Sequence, residues 1–91
     1  MYRIEQGTYN KAKQLGVEVR PSHRKDKKID IIKNDKVISS VGALGMKDYW
    51  KYLAQDGQKI ANQRRALYKM RHEKDRHIYM SNGWWADALL W

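Results

Sequence analysis

The sequence predicts an α+β fold. It reads as a small antiparallel β-sheet, a hairpin plus a short strand, packed with a short N-terminal helix, a long basic helix and an apolar C-terminal segment. Three observations lead there: two β-branched runs that flank Asn34-Asp35, a charged stretch with helical patterning from about Gln58 to about His77, and a length of 91 residues. A chain this short holds material for one modest core, so residues 1–91 are expected to form a single domain.

Thr8-Tyr-Asn-Lys-Ala-Lys-Gln-Leu15 reads as the first helix. Thr8 is the expected N-cap, Tyr9, Ala12 and Leu15 follow at three-residue spacing, and Gly16 suits the left-handed position after the helix. Val17-Glu-Val19 alternates as a short strand does, and Pro21 is expected to end it. The polar stretch Ser22–Lys28 is the best loop in the chain. Lys28–Lys33 and Lys36–Val41 then form a hairpin across Asn34-Asp35, two residues that tolerate a positive φ. Ile29 and Ile31 share one strand face, as do Val37, Ser39 and Val41 on the other strand. Gly42-Ala-Leu-Gly45 leaves the sheet, and Asp48 is placed to cap a helix beginning Tyr49-Trp-Lys-Tyr-Leu53. Gly57 kinks or ends that helix, and the long basic helix follows. Ser81-Asn-Gly83 is a turn. Trp84-Trp-Ala-Asp-Ala-Leu-Leu-Trp91 is apolar enough to require docking on the body, since such a segment in solvent is a liability.

Aliphatic residues are scarce, and four tryptophans and six tyrosines stand in for them, with no phenylalanine. Each such ring can bury about 150–250 Å². Trp50 and Trp91 are expected in the core. Trp84 and Trp85 are adjacent and point in different directions, so one is expected to pack inward and the other to be available for base stacking.

Nineteen basic and ten acidic side chains give a formal net charge of +9. Self-repulsion of this size opposes compaction and points to an anionic partner. Placed on a helical wheel at about 100° per residue, Ile60, Leu67, Met70 and Ile78 form an apolar arc that can face the sheet. Arg65, Lys69, His72 and Arg76 form a basic stripe on another face, suited to phosphates along a groove edge. Arg64, Tyr68, Arg71 and Asp75 share a further line. Arg64 and Arg71 are there either structural, bonding carbonyls or stacking on Trp84 or Trp85, or part of an anion site, with Arg71–Asp75 a candidate i, i+4 ion pair. The loop Arg20–Lys28 adds a second basic cluster with Arg24, Lys25, Lys27 and Lys28.

Other chemistries have little support. The absence of cysteine excludes disulfides and thiolate metal sites and suits a reducing compartment. No apolar run approaches the roughly 20 residues of a membrane span, and Met1-Tyr-Arg-Ile-Glu5 lacks the apolar core of a signal peptide, so an intracellular, soluble protein without a membrane partner is expected. His23, His72 and His77 do not give a two-histidine i, i+4 metal spacing. Glu73 and Asp75 lie on different helix faces, and Gly42-Ala-Leu-Gly45 lacks the Lys and Ser or Thr of a phosphate-cradling loop. No cofactor or metal is expected, and catalysis is the weaker class. A small nuclease using Arg71, His72 and Asp75 is the third reading.

Four blocks resemble a known group. Gly7–Val17, Ser40–Tyr49, Arg64–Arg76 and Gly83–Trp91 are similar to short, basic, uncharacterised proteins of large double-stranded DNA viruses of algae and amoebae. The likeness spans nearly the whole chain, although Asp35 and Trp85 stand where the group carries glycine and tyrosine. The resemblance implies a viral product acting in an infected cell, in nucleus or cytoplasm, or packaged in the virion. The leading expectation is therefore a viral protein that binds nucleic acid, DNA ahead of RNA, through the phosphate backbone with low sequence specificity. The alternative is a minor structural or adaptor protein of the particle that contacts capsid proteins.

Overall fold

The computed structural model describes residues 2–91. Its elements run α1 (Gln6–Gln14), β1 (Glu18–Pro21), β2 (Lys27–Lys33), β3 (Lys36–Ala43), α2 (Tyr49–Asp56), α3 (Gln58–Arg71) and α4 (Asn82–Leu90). The protein is an α+β fold with one three-stranded antiparallel sheet in the order β1-β2-β3. By internal contacts the chain divides into two compact units, one ending at Met46 and one from Lys47 to Trp91.

In the first unit, α1 begins two residues before Thr8. Glu5 holds the N-cap position without a side-chain cap bond, and Thr8 lies inside the helix, fully buried. The buried line is Ile4, Thr8 and Ala12, at i, i+4 spacing, while Tyr9 and Leu15 are exposed. The end of α1 follows the sequence expectation. Gly16 takes φ +72°, its amide donates to Lys13 O at 3.2 Å, and the Val17 amide donates to Ala12 O at 3.0 Å. This pair of bonds is the Schellman arrangement, with buried Val17 and Ala12 supplying its apolar contact. Pro21 is the last residue of β1, tolerated because β1 is an edge strand.

The hairpin turns at Asn34 and Asp35, with φ of 53° and 63°, the left-handed pair that a two-residue turn needs to match strand twist. Ile29 pairs with Val41, Asp30 with Ser40 and Ile31 with Ser39; the register then slips by one, so that Ile32 faces Val37. The extra residue in β3 breaks the expected common face of Val37, Ser39 and Val41. Ser39 and Val41 are buried, and Val37 is 48 % exposed.

In the second unit, Asp48 caps α2 by accepting from the Lys51 amide at 3.1 Å, and α2 stops at Gly57. Ser81 caps α4 rather than forming a free turn, accepting from the Trp84 amide at 3.1 Å. The C-terminal segment is a docked helix: Trp85, Leu89, Leu90 and Trp91 are buried, and the Trp50 indole donates to Leu89 O at 3.1 Å. Tyr49 and Tyr68 complete an interior in which rings replace aliphatic residues.

The long helix departs from expectation in two ways. It ends at Arg71, with turns from His72 to Met80, instead of reaching His77. Its orientation is also reversed. Ala61 and Tyr68 are buried and Arg65, Lys69 and His72 half-buried, whereas Ile60, Leu67, Met70 and, beyond the helix, Ile78 are exposed. The apolar arc therefore faces solvent and the basic stripe faces the interior of its own unit.

Candidate nucleic-acid interface

The inward stripe survives burial because each cation finds a partner. Arg65 Nε donates to the main-chain oxygen of Trp91 at 2.8 Å, and its guanidinium lies 3.6 Å from the centre of the Tyr49 ring. Lys69 Nζ pairs with Asp87 at 2.8 Å. Arg76, brought back by the turn, reaches Glu73 at 2.7 Å and Asp87 at 3.8 Å. His72 stacks on Tyr68 at 4.4 Å, and Tyr68 stacks on Trp91 at 4.5 Å with planes 9° apart. Burial, with Asp87 and Asp75 nearby, pushes the Tyr68 phenol up to about 12. Arg65, Lys69, His72 and Arg76 thus brace the second unit. Asp87 is the counter-charge that the wheel could not show, since it lies on another helix.

Arg64 and Arg71 project outward. Arg64 sits 5.4 Å from the Tyr52 ring centre, not on Trp84 or Trp85. Arg71 makes no ion pair among the described residues, because the helix ends there and Asp75 turns to His72 instead, with Nδ1 and Oδ2 3.5 Å apart. Of the nuclease trio, His72 and Asp75 are therefore adjacent. Trp85 is buried, and half-buried Trp84 is flanked edge-on by Tyr79 at 5.0 Å and Trp85 at 4.8 Å.

The first unit holds the other cluster. Lys28 lies in β2 and is buried, with Nζ 5.2 Å from the Tyr2 ring centre. Arg24 and Lys25 are exposed and Lys27 half-buried, and among the described residues no carboxylate pairs with any of the three. Arg24 and Lys25 belong to the connection between β1 and β2, and Lys27 is the first residue of β2. The connection is built on a buried acid. Asp30, 4 % exposed, receives the hydroxyls of Ser22 and Ser40, each at 2.6 Å, and Arg20 Nε lies 3.7 Å away. Burial raises the Asp30 carboxyl, but the two serine hydroxyls, the His23 amide and Arg20 outweigh it and hold it below the ordinary carboxylate range. Ser22 Oγ also accepts the Arg24 amide at 3.0 Å. Further main-chain bonds, Ser22 N to Lys28 O, Lys27 N to Arg24 O and Leu44 N to Asp26 O, close the loop at 3.0–3.3 Å. Ser22 and Ser40 were not visible as site residues in the sequence. The available signal was Asp30 itself, a residue type depleted in strands, set between two isoleucines.

The basic excess is shared: the first unit has ten Lys or Arg against five acids, and the second nine against five. Among the described residues no helix is long and apolar enough to cross a membrane. Comparison with protein-family models, with curated proteins and with solved structures finds no match.

Proposed function

We propose that the protein binds nucleic acid through the phosphate backbone, with low sequence specificity, using Arg24 and Lys25 of the β1–β2 connection and Lys27 at the start of β2. The observation that carries this reading is the combination of three cations without carboxylate partners and a loop already fixed by Asp30. A loop held in shape loses little conformational entropy when it meets phosphates, and each cation it contributes releases a counterion. The net charge of +9 supplies the longer-range attraction. The Lys28, Arg65, Lys69 and Arg76 side chains act within the fold and are not assigned phosphates. The resemblance to proteins of large DNA viruses supports DNA as the target, in an infected cell or a particle.

The test is binding of the full chain to two unrelated duplex DNAs at about 50 mM salt, where such contacts are strongest. Both duplexes are expected to bind with similar affinity, and Arg24→Gln/Lys25→Gln/Lys27→Gln to bind at least ten-fold more weakly. Undetectable binding, or an unchanged affinity of the triple variant, would overturn the proposal.

A further inference from the structure

The outer face of α3 presents a seam. Ile60, Gln63, Leu67 and Met70 follow one another at spacings of three, four and three, the a and d positions of a heptad. Ile60, Leu67 and Met70 are 37 %, 48 % and 72 % exposed. A single exposed aliphatic residue is ordinary; three in one row on a helix are an unpartnered face. Cations bound it on both sides, Lys59 on one flank and Arg64 and Arg71 on the other, all exposed. Arg64 lies 5.4 Å from the Tyr52 ring centre, while Lys59 and Arg71 have no ion-pair partner among the described residues.

We propose that this face of α3 docks an acidic amphipathic helix of a partner protein. Aliphatic residues of the partner fill the row Ile60–Leu67–Met70, and its Asp or Glu side chains meet Lys59, Arg64 and Arg71. The flanking charge selects the occupant. A second copy of this chain would set Lys59, Arg64 and Arg71 against the same three cations in either direction, a like-charge contact that opposes pairing. A hydrocarbon surface would leave the Gln63 amide in the middle of the seam unpaired, whereas a polar residue of a helical partner can bond it and fix the register. The 14 residues of α3 span about 21 Å, which matches a partner helix of about the same length.

The test uses the full chain and fluorescence anisotropy of a labelled synthetic peptide of about three heptads, with Leu at a and d and Glu at e and g. A scrambled peptide of the same composition keeps the charge and loses the periodicity. The heptad peptide is expected to bind at least ten-fold more tightly than the scrambled one. Leu67→Ser/Met70→Ser should bring it to the scrambled level, and Arg64→Gln/Arg71→Gln should weaken it at least ten-fold. All four residues are exposed, so the variants keep the wild-type circular dichroism. The Arg24→Gln/Lys25→Gln/Lys27→Gln variant should bind the peptide normally, which separates this site from the proposed nucleic-acid loop. Equal binding of the two peptides would overturn the proposal. So would a dimer that Leu67→Ser/Met70→Ser makes monomeric, or binding to phosphatidylserine vesicles that depends on Leu67 and Met70.

Discussion

Replacing Asp30 with alanine removes the acceptor on which the β1–β2 connection is built. The carboxylate receives two serine hydroxyls at 2.6 Å and the His23 amide, with Arg20 at 3.7 Å. Hydrogen bonds to a charged group contribute about 1.5–3 kcal/mol each. The three share one acceptor group and are not additive. Their loss also strands the Ser22 and Ser40 hydroxyls, both buried. Removing one member of a buried charged network typically costs about 3–5 kcal/mol, and that is the expected loss. Asp30→Asn keeps the shape and leaves one oxygen for the two serine hydroxyls but turns an amide NH₂ toward Arg20, so about half that loss is expected. The assay is urea unfolding followed by far-UV circular dichroism. Tryptophan emission is unsuitable, because all four tryptophans lie in the second unit. A loss below about 0.5 kcal/mol for the alanine variant, within the range of ordinary surface substitutions, would refute the view that Asp30 anchors the loop.

Three further outcomes follow from the packing. Gly83→Ala places a Cβ 3.1 Å from Asp75 O and 3.2 Å from its carboxylate, so a loss of about 1–3 kcal/mol, as for overpacking, is expected in thermal or urea unfolding. Arg65→Lys should be nearly as damaging as Arg65→Ala, at about 2 kcal/mol, because an ammonium cannot both donate to Trp91 O and lie flat on Tyr49; full retention of stability by the lysine variant would contradict this. Two buried groups contribute pH-dependent stability, one at each end of the pH range. The Asp30 carboxyl is depressed in the fold, so its contribution is complete above the unfolded value of 3.8 and is lost as pH falls through the lower folded value. The Tyr68 phenol is raised to about 12, so its contribution is complete below 10 and is lost as pH rises from 10 toward 12. Absorbance titration should show one tyrosine ionising near 12, and Tyr68→Phe should remove it.

The sheet was the most legible part of the sequence. Alternation and a turn pair with positive φ are local signals, and Lys28–Lys33 and Lys36–Val41 fall within β2 and β3. The Gly16 and Asp48 helix ends were legible for the same reason. Thr8 was misplaced because its hydroxyl is equally at home inside a helix when the side chain is buried. The long helix failed on orientation. A wheel separates Ile60, Leu67 and Met70 from Arg65, Lys69 and His72, yet which side turns inward depends on what waits there. Here the waiting groups are the Asp87 carboxylate, the Trp91 main-chain oxygen and the Tyr49 ring, all distant in sequence. Arginine and lysine stems bury well against rings when the heads are bonded, so the aliphatic side was left for solvent. The basic cluster of Arg24, Lys25 and Lys27 stands out by composition, although Lys27 opens β2 rather than lying in the loop. The serine–aspartate web that shapes the loop required the cross-strand pairing of Asp30 with Ser40.

The salt dependence of duplex DNA affinity bears most directly on phosphate binding by the β1–β2 connection. Log K against log salt should fall linearly with a slope of about −0.9 per phosphate neutralised. The wild-type slope should be at least about −2.7, the value for three phosphates, and the same on unrelated sequences. The Arg24→Gln/Lys25→Gln/Lys27→Gln variant should lose about that much of it. A slope near zero, or one unchanged by removing the three cations, would contradict the account.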